Sequence, residues 1–252
     1  MILSLLGLAL TLLAGALIGA TGIGGVLVVP ILVGIEGLDL SRAIAASAIA
    51  FAFPGLLALW RLRRHPVPQD AGPPLPFKPL ILGALPGALL GAMWVHQAQP
   101  SLLLGILGCV ALGSGVRGFI LRAGSAARAP VRLSSLGASL LGAGVGVGSG
   151  LTGTGGPVLL VPLLLILRQP LPATIMAAQT IQLPIALSAG LMHWVLGAID
   201  GALALVLGLC LLLGFLWGQW AARRVAMRRL QDLVNLLLVC TGLWFGWQIW
   251  NG

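Results

Sequence analysis

Apolar residues run along this chain in long stretches, and the polar positions between them are brief punctuation. Eight stretches, at about 2–19, 41–60, 79–96, 101–117, 133–150, 173–196, 201–221 and 231–250, suit the roughly 20 residues that a helix needs to cross about 30 Å of hydrocarbon. Two shorter ones, at about 25–35 and 157–167, each follow a Gly-rich turn. At about 1.5 Å per residue they cover little more than half of that thickness. The pattern predicts an all-α integral membrane protein.

The short stretches open an internal repeat. Thr21-Gly22-Ile23-Gly24-Gly25 leads into Val28-Val29-Pro30, and Thr152-Gly153-Thr154-Gly155-Gly156 leads into Leu160-Val161-Pro162. An Ala-rich helix follows each (Ala45-Ala46-Ser47, then Ala177-Ala178-Gln179), and after it comes a helix with Gly at every fourth position: Gly83, Gly87 and Gly91, then Gly214 and Gly218. That spacing bares one helix face for close approach by another helix, so packing is the favoured role of these glycines. The chain thus divides into a first membrane repeat at 1–121, a basic linker at 122–132 and a second membrane repeat at 133–252.

Charge placement orients the two halves. The basic loop of the first is Arg61–Lys78, and its next turn, Gln97–Pro100, has no basic residue. In the second, Gly197–Gly201 is bare, and Arg223, Arg224, Arg228 and Arg229 follow the next helix. Because basic loops stay on the cytoplasmic side, this exchange predicts two inverted-topology repeats of about five transmembrane segments each, each with a short discontinuous helix after its Gly-rich loop. With ten crossings and both termini outside, thirteen of the fourteen basic residues are cytoplasmic; Arg42 alone is outside, near Glu36 and Asp39. Re-entrant short segments would make the halves parallel and leave one basic loop outside.

Composition agrees. Of 252 residues, 59% are of the AVILMFWYC set and 8% are charged, against roughly 25% charged in soluble domains. The net charge of +9 therefore reads as positive-inside bias, not as a nucleic-acid surface. Cys109, Cys210 and Cys240 sit apart in apolar stretches, as packing cysteines would, with no metal or redox spacing. The first stretch has no basic leader and runs into the Gly motif, so it is taken as a mature helix.

The chemistry to expect is anion binding. Each short helix must begin near the midplane, and a helix N-terminus offers unsatisfied N–H groups with about half a positive charge. Gly22, Gly24, Gly25, Gly153, Gly155 and Gly156 let those groups face a ligand, and Thr21, Ser149, Thr152 and Thr154 add hydroxyls. Ser47, Gln179 and Gln182 on the following helices complete the candidate substrate site; Thr180 is a further polar residue there, and His193 beside Trp194 reads as interfacial. Glu36, Asp39, Asp70, Asp200 and Asp232 all map to helix ends or loops, so a buried carboxylate relay is not indicated. No catalytic residue, metal or cofactor is expected.

The paired Gly-rich segments, the Ala-rich helices and the Gly-x-x-x-Gly helices together resemble the sulfite exporter TauE/SafE family, over roughly residues 5–250. The resemblance implies a multi-pass transporter of the bacterial inner membrane whose partner is a small sulfur-containing anion such as sulfite, thiosulfate, sulfoacetate or a short organosulfonate. The family's Gly-rich segments match Thr21–Pro30 and Thr152–Pro162, the second having one more residue between its last Gly and its Pro. An anion channel of the same architecture and a non-transporting assembly factor are the alternatives; saturable selective flux argues against the first, sulfonate binding against the second. An intramembrane serine protease built on Ser149 and His193 would need Gly at position 147, which is Val. Oligomeric state is not legible.

Overall fold

Serine hydroxyls start, in the same way, the two helices that lead into the Gly-rich segments. Ser4 accepts the N–H of Gly7 at 3.0 Å, and Ser134 accepts that of Gly137 at 3.0 Å, each meeting one of the donors that a helix start leaves unpaired. The computed structural model describes residues 3–64, 75–121, 130–222, 224 and 227–251. Every regular element among them is helical: α1 (Leu5–Thr21), a 3-10 turn at Gly25–Leu27 that runs into α2 (Val28–Gly34), α3 (Leu40–Ala50), α4 (Ala52–Arg64), α5 (Phe77–Val95), α6 (Pro100–Leu121), α7 (Ser135–Thr152), α8 (Pro157–Ile166), α9 (Leu171–Val195), α10 (Gly201–Ala221) and α11 (Met227–Asn251). Most of the linker at 122–132, much of the Arg61–Lys78 loop, and Arg223 lie outside the described residues.

Among the described residues, six helical stretches are long and apolar enough to cross a membrane: Leu40–Arg64, Phe77–Val95, Ser101–Ile120, Ser135–Thr152, Ala173–Val195 and Gly201–Ala221. Leu5–Thr21, Gly25–Gly34 and Pro157–Ile166 are apolar but shorter. The chain is therefore a multi-pass membrane protein. The stretch expected as one helix over 41–60 is instead broken at Phe51 into α3 and α4. Pro54 has no N–H to give the Ala50 carbonyl and its ring crowds it; Phe51 donates to Ser47 at 3.2 Å and accepts from Gly55 at 3.1 Å, so the chain continues at a bend.

Glycine rows set the helix contacts, as the four-residue spacing predicts, and they also set helix direction. A Cβ on Gly83, Gly87 or Gly91 of α5 would strike the backbone of Ser139, Ala143 or Val147 of α7, in rising order, so α5 and α7 run parallel. Gly15 and Gly19 of α1 meet Leu211 and Phe215 of α10 in the same sense. By contrast, Gly108 and Gly115 of α6 meet Phe245 and Val239 of α11, so those two helices are antiparallel. Gly55 lies against Leu183 and Ile49 against Gly190, so the bent α3–α4 pair runs opposite to α9. Backbones this close gain dispersion contacts that larger residues would prevent, which is the main glue available where lipid is as apolar as the side chains.

Large apolar side chains cover the outside, as lipid contact requires. Trp60, Trp94, Trp194, Trp220 and Trp250 are exposed near helix ends, as interfacial anchors are. Arg64 lies 4.3 Å from the Trp60 ring and Arg224 lies 4.0 Å from the Trp220 ring, cation–π pairs at the ends of α4 and α10. One expectation changes. Cys109 and Cys240 are exposed on the outer faces of α6 and α11, so they do not pack an interior. Arg42 pairs with Asp200 at 3.7 Å, while Glu36 is taken by Ser4 at the start of α1.

Candidate functional site

Both Gly-rich segments begin where a helix is stopped. α1 ends at Gly22, φ 75°, whose N–H returns to the Ile18 carbonyl at 2.8 Å. α7 ends at Gly153, φ 62°, whose N–H returns to Ser149 at 2.8 Å. Left-handed caps of this kind turn the chain away from the helix axis. The two copies then diverge, as the extra residue in the second foreshadows. The first enters a 3-10 turn at Gly25, whereas the second goes straight into α8 with Pro157 at its first position, where a missing N–H costs nothing.

The two segments meet. A Cβ on Gly25 would stand 2.5 Å from the Thr154 carbonyl oxygen and 2.9 Å from the Phe51 ring. Phe51 also fills the space beside Gly155, which has φ 74° and where a Cβ would stand 2.7 Å from the ring. Phe51 is fully buried, so the bend between α3 and α4 places an aromatic ring between the two loops. The sequence reading missed it, since one Phe in an apolar run carries no local signal. Pro54, three residues on, marks the bend that puts it there.

All thirteen candidate residues are buried, and they sort by whether their polar atoms are used. The Thr21 hydroxyl donates to Leu17 O at 2.8 Å and accepts from Ile23 N–H at 3.1 Å. Thr152 donates to Gly148 O at 2.7 Å, so in its 3.0 Å contact with Thr154 the Thr154 hydroxyl is the donor. Ser47 lies between the carbonyls of Ile44 at 2.9 Å and Gly153 at 3.0 Å. Gln179 gives its amide to Ile18 O at 3.2 Å, and Thr180 donates to Met176 O at 2.7 Å. These hydroxyls and the Gln179 amide hold the backbone in place; the hydroxyl hydrogens are used, and the Gln179 amide keeps one N–H beyond its bond to Ile18.

Ser149 and Gln182 are different. Ser149 Oγ and both polar atoms of the Gln182 side chain have no hydrogen-bond partner, although the residues are 1% and 0% exposed. A buried polar atom left unpaired costs about 1–3 kcal/mol, which is the usual mark of a ligand or water position. Ser149 Oγ lies 3.7 Å from where a Gly156 Cβ would be, at the start of α8. Gln182 lies one helical turn beyond Gln179 on α9, on the same helix face. Among the described residues, the buried polar set includes no Lys, Arg, Asp or Glu, so only dipoles and hydrogen bonds would balance an anion's charge here.

His193 departs from expectation. It is fully buried while Trp194 beside it is 69% exposed, and its Nδ1 lies 3.0 Å from Nε2 of His96 at the end of α5.

Comparison with curated proteins returns no match, and neither does comparison with solved structures. The family described as Sulfite exporter TauE/SafE matches residues 6–245, which takes in both Gly-rich segments and every residue of the candidate site. The chain belongs to the sulfite exporter TauE/SafE family, membrane transporters of sulfur-containing anions.

Proposed function

We propose that the chain is a secondary transporter of the bacterial inner membrane that exports a small sulfur-containing anion such as sulfite, thiosulfate, sulfoacetate or a short organosulfonate. The anion binds near the bilayer midplane, between the starts of α2 and α8. The observation that carries this reading is the pair of unpartnered buried groups, Ser149 Oγ at the start of α8 and the side-chain amide of Gln182 on α9. Oxyanions accept hydrogen bonds, and what this region offers is a hydroxyl, an amide and the unspent N–H groups of helix starts.

The halves at 1–121 and 133–252 are read as inverted repeats with ten crossings. The antiparallel pairs support this reading, because α3–α4 against α9 and α6 against α11 are the helices that repetition would make equivalent. Inverted repeats supply the alternating access that a secondary transporter needs. Export follows from the electrical gradient: an inside-negative membrane drives a monovalent anion outward by about 2.3 kcal/mol per 100 mV.

Thermal unfolding of the purified protein with sulfite, thiosulfate, sulfoacetate, taurine, isethionate, sulfate, chloride and lactate tests the reading. A ligand at a hundred times its dissociation constant stabilises by about 2.7 kcal/mol. Stabilisation confined to sulfur anions is the expected result. No stabilisation by any of them, or equal stabilisation by chloride and lactate, would overturn the site.

A further inference from the structure

Far from the Gly-rich segments, two imidazoles meet where α5 and α9 end. His96 is exposed, just past the last turn of α5; His193 is fully buried, in the last turn of α9. Nε2 of His96 and Nδ1 of His193 are 3.0 Å apart, with ring centroids 5.2 Å apart and planes at 73°. Nδ1–Nε2 contact at that distance is a hydrogen bond, so one ring donates and the other accepts. The second nitrogen of His193, Nε2, is buried with no partner. The dyad therefore runs from an imidazole in contact with the surroundings to one whose far nitrogen faces the interior.

The elements packed against α9 carry few charged groups. α9 packs against α3, α4, α5, α7 and α8. On α3 the charged residue is Arg42, which pairs at 3.7 Å with Asp200 from the loop that follows α9. Lys78 on α5 and Arg61, Arg63 and Arg64 on α4 stand at the opposite ends of their helices, and α7 and α8 carry no titratable residue. The loop after α9 caps that helix, with Ala198 N–H donating to the His193 backbone carbonyl at 2.9 Å.

We propose that His96 and His193 form a proton-binding site that couples anion binding to proton uptake from the face where α5 and α9 end. A proton from water adds to the dyad and is shared between Nε2 of His96 and Nδ1 of His193, giving one imidazolium and one imidazole; no other bond changes. The site acquires a positive charge only when protonated, about 16 Å along α9 from Gln182 at 1.5 Å per residue. Linkage requires reciprocity: if the proton tightens anion binding, the anion raises proton affinity by the same factor. This inference rests on the anion-site reading for the coupling, but the proton site stands on the dyad itself.

Two measurements separate them. First, ring-nitrogen NMR of histidine-labelled protein in a His65→Gln background, in nanodiscs, follows His96 and His193 with no ligand present. The expected result is one proton taken up by the two rings in a single shared step, with His193 losing its share of that step in His96→Gln. Two rings that titrate independently, or a His193 that ignores His96→Gln, would overturn the proton site. Second, a pH indicator in weakly buffered solution records proton uptake when thiosulfate or isethionate is added. Uptake in the wild type that disappears in His96→Gln and in His193→Asn establishes the coupling, and anion binding with no uptake overturns it. If neither anion binds at all while the ring titration is shared, the anion site fails, the coupling falls with it, and the proton site remains.

Discussion

Ser47 donates its hydroxyl to the carbonyl of Gly153 at 3.0 Å, joining positions 106 residues apart in the chain. Gln179, which occupies the matching place after the second Ala-rich run, donates to the Ile18 carbonyl at 3.2 Å. Each Ala-rich helix thus uses a polar side chain to hold the last turn or cap of a helix that leads into a Gly-rich segment elsewhere in the chain. The bonds are buried, so their loss is felt: Ser47→Ala leaves the Gly153 carbonyl without this donor and should lower unfolding stability by about 1–3 kcal/mol. Thermal unfolding in detergent checks this, and an unchanged midpoint would mean that the bond holds nothing.

The glycine rows make a sharper comparison within one helix. A Cβ on Gly146 of α7 would collide with the Ala84 carbonyl, whereas nothing lies within 4 Å of a Cβ on Gly144. Gly146→Ala should destabilise by about 1–3 kcal/mol through overpacking. Gly144→Ala should be neutral or stabilise by up to about 1 kcal/mol, since Gly costs that much relative to Ala in a helix. Equal melting temperatures for the two variants would contradict parallel packing of α5 on α7.

Phe51 and Gly155 test how the two loops are held. Gly155→Ala meets two obstacles, the Phe51 ring at 2.7 Å and its own φ of 74°. In a background of Phe51→Leu, the steric part should ease while the backbone part, about 1–2 kcal/mol for a residue with a Cβ, remains. Chemical unfolding of the two singles and the double should therefore give an interaction energy of at least about 0.5 kcal/mol in the rescuing direction. Strict additivity would mean that the ring does not press on this loop.

How far the fold can be read from the residues depends on the range of the signal. Run lengths, the Gly stops at Gly22 and Gly153 and the short helices behind them are local, and they were legible. The contacts of Gly83 and Gly87 with a second helix were legible as a type, but their partners were not. Gly142, Gly146 and Gly150 of α7 are the complementary row, hidden in a helix that is apolar all round and so shows no preferred face. His96 and His193 meet across 97 positions, and Arg42 chooses Asp200 over the nearer Glu36 and Asp39. Only packing in three dimensions decides such pairs. The candidate site was legible as a set of residues; that the Thr21 and Thr152 hydroxyls are spent on backbone while Ser149 and Gln182 are unpartnered required the folded structure.

Ser149 and Gln182 oppose stability to function, and this gives the most direct check on the site. Their unpartnered atoms are buried, so without a ligand each one costs desolvation energy that an apolar side chain would not. Gln182→Leu should raise the unfolding midpoint of the ligand-free protein, because it removes two unpaired polar atoms and retains similar bulk. Ser149→Ala should be neutral or slightly stabilising for the same reason. Both variants should lose the stabilisation that thiosulfate or isethionate confers on the wild type; a lost hydrogen bond to a charged ligand is worth about 1.5–3 kcal/mol, roughly 10- to 150-fold in affinity. Thermal unfolding with and without the anion reads both effects from the same samples. A variant that is less stable and still binds would show that these groups serve the fold, and the anion would then have to be held elsewhere.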